Sequence, residues 1–258
     1  MSATSTNRAG VLQLWLLNLV ANAAVLAAWF CWLLIPDAHG WQVACSALLA
    51  IVVIFLVVWL RAGTLAWFRV GEHRSQPGIA TAFRRGLRHV VPLAIWAALF
   101  AIIVWLILSV GNYTPQFAVW IRQKVNAGPA PRSVMHTTDW LFFALLWVVL
   151  PAIWLPIATT IAAAGFGLSH MRRSLHVLRR PLYWIAFCVL VAMGAWVPYK
   201  LVTWVPDVQG LAKQAWSAGL RFAAAYIILI TAFLLLVWMV GVFTDREDPI
   251  GERQVLPV

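Results

Sequence analysis

Long runs of apolar residues constrain this sequence more than any other feature. A helix that crosses about 30 Å of hydrocarbon needs roughly 20 apolar residues, and six runs of this kind follow one another along the chain. Hydrophobic residues make up 63% of the 258 residues and charged residues only 10%, whereas a soluble domain is typically about a quarter charged. This excludes a soluble enzyme, a disordered chain and a disulfide scaffold. The sequence predicts an all-α, polytopic membrane bundle forming one transmembrane domain over residues 1–258.

The six apolar runs are the predicted transmembrane spans. They cover residues 11–35, 41–60, 91–110, 140–166, 182–204 and 220–243. The first run is longer than the roughly 7–15-residue core of a cleaved signal peptide, so we interpret it as a retained span. The second run ends at Leu60 or continues to Phe68, and we expect the side chain of Arg61 to reach the inner interface.

The basic residues are distributed unequally between the connecting segments. With six spans, thirteen of the 19 Lys and Arg residues fall on the side that carries both termini, and six fall on the opposite side. The side richer in Lys and Arg is normally cytoplasmic. We therefore predict that both termini are cytoplasmic, and we call that end of the bundle inner and the other end outer.

Short sequence matches raise the question of an internal repeat. The pattern Arg-Arg-x-Leu followed by Pro-Leu occurs at residues 84–93 and again at residues 172–182. Such matches fit three helical hairpins of common origin, as parallel repeats in transport folds do. Chance similarity between short apolar segments explains them equally well, so both interpretations stay open.

Two basic segments on the inner side have the pattern of amphipathic interfacial helices. Residues 79–90 place an apolar stripe (Ile79, Phe83, Leu87 and Val90) opposite arginines, and residues 168–180 do the same with Leu168, Met171, Leu175 and Leu178. Such helices lie in the headgroup plane with the apolar face towards lipid. They serve as topology anchors, or they recognise lipid phosphate specifically because the guanidinium fork suits it. The candidate phosphate-binding residues are Arg84, Arg85, Arg88, Arg172, Arg173, Arg179 and Arg180.

Polar residues inside the spans are the second candidate group. Asn18 and Asn22 share one face of the first span, and Thr159 and Thr160 follow two prolines in the fourth. Intramembrane amides and hydroxyls usually hydrogen-bond across helices for about 0.6–2 kcal/mol each. The functional alternative is a polar path for a solute. No Asp, Glu or His lies firmly mid-span, which counts against an ion-coupled transporter.

The outer side carries a small set of residues that are able to bind metal. Asp37, His39, His136 and Asp139 lie in outer segments, and two histidines with carboxylates would suit a divalent cation in a lipid-modifying enzyme. Their spacing matches no zinc motif. The plainer interpretation is loop polarity with helix capping.

The predicted function is that of an integral membrane protein, of bacterial inner-membrane type, with a non-catalytic role in lipid contact or in a membrane complex. No catalytic or cofactor-binding motif occurs, so we expect no cofactor and assign no catalytic residue. The expected partners are anionic membrane lipids, with a membrane protein or a second copy as further candidates, and not nucleic acid. Two alternatives remain: a transporter component for a lipid-like solute, and a membrane-embedded lipid-modifying enzyme.

Overall fold

The structure, a computed structural model, describes residues 3–36, 39–68, 78–124, 131–206 and 210–245. It is 93% helical, and the described residues form no strand. Six helical stretches are long and apolar enough to cross a membrane. They are Ala9–Leu33, Gly40–Phe68, Val90–Gly111, Arg132–Ala164, Pro181–Thr203 and Leu211–Thr244. The predicted all-α polytopic bundle is therefore confirmed.

Short helices lie between and beside the spans. In chain order the α-helices are α1 (Ala3–Leu33), α2 (Gly40–Phe68), α3 (Ile79–Arg88), α4 (Val90–Gly111), α5 (Thr114–Lys124), α6 (Pro131–Ala144), α7 (Leu150–Ala164), α8 (Leu168–Ser174), α9 (Pro181–Val191), α10 (Val197–Thr203) and α11 (Leu211–Asp245). The second span continues past Arg61 to Phe68, and the sixth begins nine residues before the predicted start. Neither boundary could be fixed from the sequence, because apolar composition alone does not mark where a helix leaves the bilayer.

The fourth and fifth spans each contain a π-helical turn just before a proline. One turn covers Leu145–Val149 ahead of Pro151, and the other covers Ala192–Trp196 ahead of Pro198. A proline ring clashes with the carbonyl four residues earlier, and in both spans that carbonyl lies in the middle of the π turn. The wider turn lets each helix continue through its proline without ending.

The buried core lies towards the inner end of the bundle. It joins the last turns of α2 and α11 to α7, the start of α4, the segment after α8 and the start of α9. Tyr183 and Phe187 are fully enclosed there, and the Tyr183 hydroxyl donates to the Ala152 carbonyl oxygen at 2.7 Å. A phenol buried in this way needs such a partner, so α9 is fixed against α7 by both packing and a hydrogen bond.

The outer halves of the spans pack far less. Consecutive residues of α2 are exposed around most of the helix, for example Ile51, Val52, Ile54 and Phe55. In the most apolar window of Val90–Gly111, 6% of the residues are buried, against 39% in Leu211–Thr244. The sixth span is therefore the central helix, and the bundle is closed at its inner end and open at its outer end.

Candidate functional site

The arginines of α3 face away from the protein. Arg84, Arg85 and Arg88 are exposed, whereas Ala82 and Gly86 are buried against α2. A Cβ on Gly86 would lie 2.6 Å from the Gly63 backbone nitrogen, so the two helices touch at a pair of glycines. The contact is supported by the Trp59 indole, whose Nε1 donates to the Phe83 carbonyl oxygen at 3.2 Å.

The apolar stripe predicted for α3 is only partly correct. Val90 is buried and Ile79 and Phe83 pack partly against the protein, but Leu87 is 48% exposed. The small residues Ala82 and Gly86, not the large ones, make the closest contact. The end of α2 occupies part of this face, and contact of its exposed remainder with lipid stays a prediction.

The second basic segment is not one continuous helix. It consists of α8 and a 3₁₀ turn over Leu175–Arg179. Leu168, predicted to lie on the apolar stripe, is 88% exposed, while Ser174 and Val177 are buried. Met171, Leu175 and Leu178 pack against the protein core as partly buried side chains. Here too the segment is docked on the bundle, which leaves its arginines outward.

The exposed arginines of these two segments form what we call the basic inner surface. Its members are Arg84, Arg85, Arg88, Arg172, Arg173 and Arg179. Arg180, the seventh predicted contact, is partly buried, and its Cζ lies 6.0 Å from the centroid of the Phe243 ring. It belongs to the packing of α11 rather than to this surface.

His89 lies between α3 and the end of α7. It follows α3 directly, and a Cβ placed on Gly165, at the end of α7, would lie 3.1 Å from its Nδ1. Gly165 has φ +78°, which other residues rarely adopt. Burial, with smaller effects of the Arg85 and Arg88 charges, lowers the pKa of His89 below its ordinary value of 6.5. The positive charges of Arg85 and Arg88 thus add to the effect of burial on this histidine.

Asn18 lies in a buried hydrogen-bond network between α1 and α2. Its side chain is fully buried, and its Nδ2 donates to Thr64 Oγ1 at 3.1 Å and to the Leu14 carbonyl oxygen at 3.0 Å. Thr64 Oγ1 in turn donates to the Leu60 carbonyl oxygen at 2.8 Å. This is the cross-helix role usual for polar residues in spans.

Arg61 continues this network one turn towards the outer side. Its Nη2 donates to Asn22 Oδ1 at 2.8 Å, and its Cζ lies 4.3 Å from the centroid of the Phe233 ring on α11. Its Nη1 is buried and has no hydrogen-bond partner among the described residues. The prediction that Arg61 reaches the interface is therefore wrong: because α2 continues to Phe68, the side chain is held between α1, α2 and α11.

The predicted polar residues of the fourth span lie elsewhere, within α7. Thr159 and Thr160 are both buried, and both hydroxyls donate to the Pro156 carbonyl oxygen at 2.8 Å. A polar path joining them to Asn18 and Asn22, and with it the transporter alternative, stays a prediction.

The residues predicted to bind metal do not form a cluster in the described parts of the chain. Over those ranges, no group of three or more His, Cys, Asp or Glu side chains comes together. His136 Nε2 accepts from Trp140 Nε1 at 3.2 Å, and the backbone N–H of His39 donates to Gln42 Oε1 at 2.9 Å. Asp139 lies on α6, and Asp37 lies outside the described residues. The lipid-modifying enzyme alternative stays a prediction without geometric support.

Comparison with other proteins does not assign a family. No protein-family model matches the chain, and neither curated proteins nor solved structures gave a match. The function must therefore be argued from the chain's own residues.

Proposed function

We propose that this integral membrane protein binds anionic phospholipid headgroups through the basic inner surface and has no catalytic role. The observation that carries the proposal is the docking of α3 and α8 on the bundle, with Arg84, Arg85, Arg88, Arg172, Arg173 and Arg179 directed outward. We further propose that this surface faces the cytoplasm, and that the membrane is a bacterial inner membrane.

The rigid attachment of the arginines supports lipid binding rather than simple anchoring. A helix that only anchors a span would insert its apolar face into lipid, but the packed face of α3 is taken by α2. The backbone positions of the arginines are thus fixed, so only their side chains need to be ordered when a phosphate binds. Arginine also binds phosphate through two parallel hydrogen bonds.

The electrostatic attraction is large enough to select lipids. Each Lys or Arg near an anionic leaflet contributes about 1 kcal/mol. Removing three of the six charges should therefore reduce the preference for anionic over zwitterionic lipid by roughly 100-fold at low salt, since 1.4 kcal/mol corresponds to a factor of ten. The preference should also weaken as salt rises, because exposed charges are screened.

The test measures which lipids stay bound to the full-length protein. Delipidated protein is incubated with equal amounts of phosphatidylglycerol and phosphatidylcholine, and the bound lipids are counted by native mass spectrometry. We expect the wild-type chain to retain phosphatidylglycerol preferentially. Both the R84Q/R85Q/R88Q and the R172Q/R173Q/R179Q variants should lose most of this preference.

The matched control neutralises bases on the outer side. Arg122 and Lys124 lie at the end of α5, beyond the opposite end of the bundle, and both are exposed. The R122Q/K124Q variant should keep the wild-type preference. If the two inner variants bind the same ratio of lipids as the wild type, or if the outer variant loses as much as they do, the basic inner surface is not the binding site.

A further inference from the structure

Arg61 combines a fixed charge with an unused hydrogen-bond donor. One edge of its guanidinium binds Asn22 and its face lies on Phe233, but Nη1 is enclosed and has no partner among the described residues. Of the eight Asp and Glu side chains, the structure describes only that of Asp139, which lies on the outer helix α6. The described side chains thus offer Arg61 a hydrogen bond and an aromatic ring but no neighbouring carboxylate.

An anion would stabilise a guanidinium in this position. Arginine stays protonated in proteins, and a buried charge without a partner costs several kcal/mol. An asparagine amide and a ring face offset only part of that cost. An oxyanion that accepted hydrogen bonds from the guanidinium would satisfy the free donor and neutralise the charge in one step.

The surroundings of Arg61 are apolar on the outer side. One turn further out on α1 and α11, large apolar side chains are exposed: Leu26 and Leu229 are 47% and 48% exposed. On the inner side, by contrast, Gly63 and Thr64 are buried. Arg61 therefore lies between a closed polar network and an open apolar region, which is the arrangement that an amphiphile requires.

We propose that Arg61 binds the phosphate or carboxylate of an anionic amphiphile whose acyl chain lies along the exposed faces of α1, α2 and α11. This site is separate from the basic inner surface, and the proposal does not depend on it. Because Nη1 is shut off from solvent, binding requires the guanidinium to turn from its resting position against Phe233. Basic sites of this kind between spans are known to take lipid headgroups.

The test compares wild-type protein with R61Q and R61K in two measurements. The first is the melting temperature of the delipidated, full-length protein. The second is the affinity for phosphatidylglycerol, oleate, phosphatidylcholine and inorganic phosphate, measured at about 0.5 M salt so that binding to the exposed arginines is screened. Phosphatidylglycerol and oleate separate a phosphate from a carboxylate ligand, and inorganic phosphate tests whether an acyl chain is needed.

We expect the R61Q variant to melt at or above the wild-type temperature, because an uncompensated charge has been removed, and to bind at least one of the two anionic lipids at least tenfold more weakly. The R61K variant keeps the positive charge but lacks the paired donors of the guanidinium, so its lipid affinity should fall between those of the wild type and R61Q. It also tests the site if R61Q does not fold. The R122Q/K124Q variant, which changes exposed bases at the end of α5, should bind like the wild type at this salt concentration.

Three results would overturn the proposal. The first is a lower melting temperature for R61Q with unchanged lipid affinity, which would make Arg61 a structural cation. The second is inorganic phosphate binding as tightly as both lipids, which would leave the acyl chain without a role. The third concerns the full-length E72Q, E247Q, D248N and E252Q variants. If one of them melts below the wild type, and the double variant that also carries R61Q melts above the wild type, the counter-ion of Arg61 is the chain's own carboxylate.

Discussion

At the scale of single residues, the apolar pattern conceals a cationic side chain with defined surroundings. Arg61 on α2 is one charge in a long apolar stretch, and its two contacts, Asn22 and Phe233, lie on α1 and α11. The sequence singled out Asn18 and Asn22 as polar residues within a span, and the structure places both in hydrogen bonds between helices. The sequence did not reveal their partners Thr64 and Arg61, because residue spacing fixes the face of one helix but not the rotation of its neighbour.

His89 provides a test of lipid binding to α3 at the residue scale. Its pKa is lowered by burial first and by the Arg85 and Arg88 charges next. An anionic lipid on those arginines would cancel part of their effect. We therefore predict that the pKa of His89, measured by NMR on labelled protein in nanodiscs, is higher in phosphatidylglycerol than in phosphatidylcholine.

The control is the R85Q/R88Q variant, in which the arginine charges are already gone. Its His89 should have a higher pKa in phosphatidylcholine than the wild type and should change less on transfer to phosphatidylglycerol. The pKa of His89 in the folded chain lies below 6.5, so protonation of His89 favours the unfolded chain. The free energy of unfolding should therefore decrease as pH falls from 6.5 towards the folded-state pKa. Identical pKa values for the wild type in the two bilayers would contradict lipid contact at α3.

At the scale of elements, the two basic segments show what an amphipathic pattern leaves undecided. The periodicity correctly predicted that residues 79–88 are helical and that their arginines are exposed. It could not distinguish a lipid surface from a protein surface, since both bury apolar side chains. The contact that decides between them is the one between Gly63 and Gly86. Glycine is not counted as an apolar residue when a periodic stripe is identified in a sequence.

A substitution at Gly86 tests whether α3 is docked on α2. A Cβ there would lie 2.6 Å from the Gly63 nitrogen and 2.7 Å from the Ala62 carbonyl carbon, and backbone atoms cannot move aside easily. We predict that Gly86→Ala lowers the free energy of unfolding by about 1–3 kcal/mol, the usual cost of overpacking. Reversible unfolding in mixed SDS micelles would measure the change.

Gly219 is the matched control for this experiment. It lies within α11, and a Cβ added there would meet no atom within 4 Å. Gly219→Ala should leave stability unchanged or raise it by up to about 1 kcal/mol, since alanine is the better helix former. If Gly86→Ala behaves like Gly219→Ala, α3 is not held against α2 and lies free at the membrane surface.

At the scale of the whole molecule, six spans place both termini on one side, and charge decides which side that is. We predict that a membrane-impermeant maleimide added outside intact cells labels Tyr113→Cys, between α4 and α5, but not Leu168→Cys, at the start of α8. Both positions are exposed, so reagent access and not burial determines the result. The native cysteines Cys31, Cys45 and Cys188 are replaced by serine beforehand.

Labelling of Leu168→Cys should appear only after the membrane is permeabilised. The reverse pattern would contradict the orientation inferred from thirteen inner and six outer bases. It would also remove the basic inner surface from the leaflet in which anionic lipid is expected to attract it. The same experiment therefore tests the topology and a premise of the proposed function.

The number of spans could be predicted from the sequence because each needs only length and hydropathy, which are local properties. Packing between spans could not, because the outer halves are as apolar as the inner halves. Leu93 on α4 is 2% exposed, whereas Ile102 on the same helix is 52% exposed. Helices in lipid gain no hydrophobic energy by associating, so hydropathy does not show where they touch.

The exposed apolar side chains in the outer half of the bundle raise the question of what covers them. In a cysteine-free background we place a spin label at Ile51→Cys on α2 or at Ile102→Cys on α4, both lipid-facing by exposure, and at Leu168→Cys as a control for water. If lipid fills the outer half, oxygen should relax the first two labels strongly and a water-soluble nickel chelate should not, while the chelate should relax the label at residue 168.

Strong relaxation of the Ile51→Cys label by the chelate would instead indicate a water-filled opening, and weak relaxation by both oxygen and the chelate would indicate a second copy or another protein. Either result would contradict an acyl chain at Arg61, since its tail needs the apolar region that lipid occupies.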